Sequence, residues 1–167
     1  TVGFLGISHL APALSKVGLD DVAFKLLEQE DNPSWLYSVK NGATTIWERW
    51  NSYIAETGTF GDVSMNSFNH YSYGAIGQWF FTDILGIRPV EFGYKSFMLA
   101  PKFGGGLTYA KGSFTSPHGK ISSAWKLHDG KFTYDCTVPT NTTATLKLPN
   151  GDIHTLVGGS YHFEINV

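Results

Sequence analysis

The chain has 167 residues with a formal net charge of −2, 42% hydrophobic and 16% charged residues, which suits one domain or two small ones and excludes a disordered chain. No basic run is present, so nucleic acid and anionic membrane are excluded as partners, and no apolar run approaches the roughly 18 residues needed to span a bilayer. One cysteine, Cys136, rules out an internal disulfide. The compartment stays open between bacterial cytoplasm and secreted or periplasmic. The start at Thr1, rather than Met, reads as a cut from something longer.

In chain order, the pattern predicts a helix over 8–18, with Ser8 as N-cap, Leu10, Leu14 and Val17 as its stripe and Gly18 as terminator. A second helix is expected from about Asp20 to Glu30, forming an antiparallel hairpin with the first. Trp35 to Lys40 reads as one or two further turns. The polar stretch 51–66 reads as a loop of functional length. A long, nearly all-apolar helix is predicted over 69–85, closed by Gly86 and Pro89. Beyond Gly93 the period changes to two. Phe132, Tyr134, Cys136 and Val138 alternate with polar residues, as do Ile121, Ser123, Trp125 and Leu127, and Asp129-Gly130 between them signals a type I′ hairpin. The second half is expected to be an antiparallel sandwich, with Ile87 to Phe92 as the joint. Gly104-Gly105-Gly106 lacks the Lys-Ser or Lys-Thr of a phosphate loop and reads as a flexible turn.

Two stretches carry candidate chemistry. Asn-Gly-Ala-Thr-Thr-Ile-Trp-Glu-Arg-Trp, 41–50, sets the carboxylate of Glu48 between the indoles of Trp47 and Trp50. Indole faces stack on the apolar face of a sugar, and a carboxylate beside them can handle hydroxyls or water. The same residues could equally form a packed corner in which Glu48 pairs with Arg49 or caps backbone amides. Met65 to Gly74 gathers Asn66, Asn69, His70 and Tyr71 at the start of the long helix, with donors and acceptors suited to vicinal hydroxyls. There too Ser67 or Asn69 could be a plain N-cap and His70 a half-buried imidazole. The six histidines show no metal-ligand spacing, and no cofactor is expected. Among the other carboxylates, Asp83 alone stands near a helix end beside apolar neighbours.

Taken together, Thr1-Val2-Gly3-Phe4-Leu5-Gly6, Pro33-Ser34-Trp35-Leu36-Tyr37, 42–50, 65–74 and Leu99-Ala100-Pro101 resemble the C-terminal part of bacterial α-L-rhamnosidases of the six-hairpin glycosidase type. The resemblance implies an α+β chain divided by segments. Residues 1–86 would supply the last helices of an (α/α)6 barrel, and 87–167 an antiparallel β-sandwich. It implies an inverting hydrolase releasing L-rhamnose from glycosides or polysaccharides. Glu48 would be the general base, His70 would line the rhamnose subsite, and Trp47, Trp50 and Asn69 would be its neighbours. The family's general acid sits in an acidic motif upstream, which this chain lacks. The expected partner is therefore the missing upstream part of the enzyme, with self-association as a further expectation. The alternative is a carbohydrate-binding or structural accessory module, with Trp125 as a stacking ring.

Overall fold

A computed structural model describes residues 2–167. The chain divides into two compact units, 1–79 with 104–106, and 80–103 with 107–167.

In the first unit, α1 spans Phe4–Lys16, α2 Asp20–Leu27 and α3 Trp35–Lys40. Helix α1 begins at Phe4, four residues before the expected start, and its N-cap Gly3 offers no side-chain cap. Ser8 is therefore not the N-cap, and Pro12 lies in the interior, where it leaves the Ser8 carbonyl without its helical donor. The buried face is Ile7, Ala11 and Ser15, while Val17 of the expected stripe is exposed. Burial follows the partner: Trp79 donates its indole N–H to the Ser15 hydroxyl at 2.8 Å and meets Phe24 of α2 edge-on at 5.1 Å. The end of α1 is as expected. Gly18 is left-handed at φ +80°, and Leu19 N–H reaches back to the Leu14 carbonyl at 2.9 Å. Helix α3 is capped by buried Ser34, whose hydroxyl accepts from Tyr37 N–H at 2.9 Å.

The expected loop 51–66 contains a small antiparallel hairpin, β1 Tyr53–Ile54 with β2 Thr59–Phe60. The expected single long helix is three short pieces instead: a 3₁₀ turn Ser72–Ala75, α4 Ile76–Trp79 and a π-helical turn Phe80–Ile84, closed by Leu85 N–H to the Phe80 carbonyl at 2.9 Å. Glycines 74 and 77 weaken the regular α form here. Nor is it apolar-buried all round, because Phe80 and Phe81 are exposed. Gly104 to Gly106 pack on α2. A Cβ at Gly104 would lie 2.4 Å from the Phe24 ring, and Gly106 N–H donates to the Glu28 carboxylate at 2.6 Å. That closeness, rather than looseness, explains Gly104, while Gly105 is left-handed at φ +57°.

In the second unit, β3 Ile87–Pro89, β4 Ser96–Leu99, β8 Thr143–Lys147 and β9 Ile153–Leu156 form one four-stranded sheet in the order β3-β4-β8-β9. The other is β10-β7-β6-β5, from β5 Tyr109–Ser116, β6 Gly119–His128, β7 Lys131–Val138 and β10 Gly159–Asn166. Pairing is antiparallel except for β4 with β8, which is parallel. The period-two residues are buried as expected: Ile121, Ser123 and Trp125 on β6, Phe132, Tyr134, Cys136 and Val138 on β7. Asp129 and Gly130 are both left-handed, at φ +49° and +72°, as a type I′ turn demands. On the outer face of β10, His162 Nδ1 meets Asp135 at 2.7 Å and Nε2 meets Glu164 at 3.5 Å.

Two predictions follow from this packing. A Cβ at Gly86 (φ +72°) would lie 2.1 Å from the backbone of Ala100, so Gly86→Ala combines backbone strain with an overlap that no rotamer relieves. It should lower unfolding free energy by about 2–5 kcal/mol in denaturant melts. The hydrogen bond to Asp135, reinforced by Glu164, raises the His162 pKa above its ordinary 6.5. The stabilisation from this pairing is present below 6.5 and lost as pH climbs through the raised value. NMR titration should place the His162 midpoint above 6.5, with Asp135→Asn returning it toward that value.

Candidate functional site

Residues 45–48 lie in no helix or strand, so their geometry rests on what they pair with. The partner is 67–70, running antiparallel. The Thr45 hydroxyl donates to the Phe68 carbonyl, His70 N–H to the Ile46 carbonyl at 2.8 Å, and Glu48 N–H to the Ser67 carbonyl at 2.9 Å. Ser67 N–H returns a bond to Glu48 Oε2 at 2.7 Å. The two candidate stretches of the sequence are thus joined directly. An amide on a carboxylate oxygen is a charge-assisted bond, and it fixes the side chain's direction. Glu48 is half-buried, and no described residue pairs with its Oε1.

Arg49 does not pair with Glu48. Its Nε donates to the Met65 carbonyl at 2.7 Å, and its guanidinium stands 3.7 Å from Asp62. Hydrogen bonds from the Ser64 hydroxyl and amide hold Asp62 below the usual carboxylate range, with Arg49 adding to this. Backbone capping, the other structural possibility open in the sequence, is realised through Ser67.

His70 is sandwiched between Phe4 (5.0 Å) and Tyr71 (5.1 Å), both stacked, and its Nδ1 accepts from Ser72 N–H at 3.3 Å. That leaves Nε2 as the ring's outward polar atom. Asn69 is exposed, its backbone closed into a turn by the Ser67 hydroxyl. Trp50 is half-buried, stacked on Tyr73 at 3.8 Å and edge-on to Trp35 at 5.3 Å. Burial pushes the Tyr73 hydroxyl pKa up. Trp47 is 7% exposed and packs edge-on to Phe68, so its ring offers little face to a sugar. Trp50 and Trp35 instead border an apolar groove of about 320 Å³ with Leu10, Leu26 and Pro33.

The remaining candidates resolve as structural. Asp83, 4% exposed, pairs with Arg88, lies 3.9 Å from Lys102 and accepts from the Thr82 hydroxyl at 2.7 Å. Trp125, the proposed stacking ring of a binding module, is 1% exposed and donates to the Ile84 carbonyl at 2.9 Å. A larger groove of about 830 Å³, along Pro89, Phe92, Tyr94 and Phe114, carries one carboxylate, Glu91, and no histidine. Size alone does not outweigh the chemistry gathered at Glu48. Among the described residues no cluster of His, Cys, Asp and Glu could hold a metal. The sequence reading missed Thr45 and Ser52, and only the density of hydroxyl side chains around the tryptophans hinted at them.

The loss of one hydrogen bond is worth about 1 kcal/mol. Thr45→Val should therefore speed hydrogen exchange of the His70 and Glu48 amides about fivefold, read by NMR, while leaving the β6–β7 amides unchanged.

Residues 1–84 match the model of the bacterial alpha-L-rhamnosidase 6 hairpin glycosidase domain, and 86–163 that of the bacterial alpha-L-rhamnosidase C-terminal domain. An alpha-L-rhamnosidase of Streptomyces avermitilis is 45% identical over 149 residues, 89% of this chain and 14% of the relative. One from Formosa agariphila is 44% identical over 154 residues, 92% of this chain and 16% of that relative. The crystal structure of the Streptomyces avermitilis enzyme complexed with L-rhamnose superposes with a TM-score of 0.93 at 38% identity, covering 98% of this chain and 18% of that one. The chain thus spans about one-sixth of the length of the relatives it matches.

Proposed function

The chain belongs to the bacterial α-L-rhamnosidase family, and from that premise we propose that it supplies the general-base half of an inverting rhamnosidase site. In this reading 1–86 contributes the last helices of the catalytic barrel and 87–167 a sandwich domain. The substrate is a glycoside or polysaccharide carrying terminal α-L-rhamnose, the sugar bound in the Streptomyces relative's structure.

Glu48 takes a proton from water as the water oxygen bonds to the anomeric carbon. The glycosidic C–O bond breaks on the opposite face, and a carboxylic acid from the rest of the enzyme protonates the leaving oxygen. The observation that carries this reading is the hydrogen-bonded pairing of 45–48 with 67–70. It sets Glu48 and His70 on adjacent segments, with one carboxylate oxygen held by Ser67 N–H and the other unpaired among the described residues. His70 Nε2 and the Asn69 amide are the polar groups offered to sugar hydroxyls, and Trp50 is the apolar wall.

Inversion requires a second carboxyl roughly 6.5–9.5 Å from the base. The chain's partner is accordingly the remaining portion of a rhamnosidase, and in its absence the exposed Phe80 and Phe81 favour self-association. The test combines the chain with that remaining portion and follows nitrophenol release from a nitrophenyl α-L-rhamnoside. Turnover should appear only in the mixture, and Glu48→Gln should lower kcat by about 10³-fold or more, within the range set by general-base catalysis. Turnover by the chain alone, or full activity in Glu48→Gln, overturns the reading.

A further inference from the structure

We propose that Asn66 is a positioning residue for Glu48, acting through Ser52 and Ser67; the proposal rests on Glu48 being the base. A carboxylate outside regular helix or strand is held only as firmly as the segment it pairs with is itself fixed. Ser52 is that fixed point, with 0% exposure. Its hydroxyl accepts from Arg49 N–H at 3.2 Å and donates to the Arg49 carbonyl at 3.0 Å, which pins the residue next to Glu48. Its carbonyl accepts from Gly61 N–H and from the Asn66 side-chain amide, each at 2.9 Å. Asn66 directly precedes Ser67, whose N–H holds Glu48 Oε2. The ties close a ring: Glu48, Arg49, Ser52, Asn66, Ser67 and back to the carboxylate.

One detail separates this role from packing. Asn66 Oδ1 is buried with no hydrogen-bond partner among the described residues. A side chain there only to fill space would do better apolar, since a buried unpaired acceptor carries a desolvation cost. What the asparagine contributes is its donor to Ser52. Without it, 65–67 keeps the Arg49–Met65 tie but loses its tie to Ser52, and the carboxylate gains freedom to swing. Misplacement of a reacting group by about 1 Å can cost on the order of 10²-fold in rate.

Two measurements test this. In the chain itself, Asn66→Ala should speed hydrogen exchange at the Ser67 amide about fivefold, the effect of losing one restraining bond. Thr57→Ala, which removes a hydroxyl from the β1–β2 hairpin, should leave that rate unchanged. In the mixture with the rest of the enzyme, Asn66→Ala should lower kcat about 10²-fold with KM within about threefold. In a Glu48→Gln background it should cause no further loss, because its effect passes through Glu48. Asn66→Leu, of similar volume but without the donor, should behave alike and serves if the alanine variant does not fold. An unchanged Ser67 exchange rate, or losses that add in the double variant, overturns the proposal. Full activity in Glu48→Gln alone overturns the base reading, while the exchange rate still judges the anchor.

Discussion

The reciprocal bonds between Glu48 and Ser67, amide to carbonyl and amide to carboxylate, are the constraint on which the candidate site depends. Each residue both gives and receives, so neither segment can shift without breaking two bonds at once. Because the same pairing carries His70 N–H to Ile46, the imidazole is referenced to the carboxylate through the backbone rather than through side-chain contact. Beside Glu48 in the sequence, Trp47 packs edge-on to Phe68 and Trp50 stacks on Tyr73. The paired segments are the frame of the candidate site.

Around that frame, regular structure serves mainly as support. Helices α1 and α2 meet through Phe24, Trp79 and Ser15, a junction of large rings closed by one indole hydrogen bond. The sandwich is stricter, with buried side chains at alternate positions of β6 and β7 and a buried Tyr134–Ser123 hydrogen bond between them. Burial of the Tyr134 hydroxyl pushes its pKa far up, and burial, with the neighbouring Asp135 charge, raises the Cys136 thiol to about 12.

Local features were legible in the sequence, and distant ones were not. The Asp129-Gly130 turn, the Gly18 and Gly86 terminators and the alternation of β7 are written within a few residues, because the backbone conformations they need are local. The start of α1 was not, since Gly3 offers no capping side chain and burial of Ile7 and Ala11 is decided by other elements. Periodicity found an apolar helical stretch before Gly86 but could not show that its turns tighten and then widen. The parallel β4–β8 pair has no local signature at all. At the site, Glu48 and His70 stood out by their neighbours, yet that Ser67 would hold Glu48 rather than cap a helix depended on a segment distant in sequence.

Gly104 to Gly106 belong with the helices although the sandwich strands flank them in sequence. Domain dissection at the apparent boundary near residue 86 would therefore strip α2 of a piece it needs. The ring of Phe24 would be left open to water and the Glu28 carboxylate would lose its amide. A helical unit cut there is expected to be less sound than its own residues suggest, and cloning boundaries drawn from linear order would misjudge it.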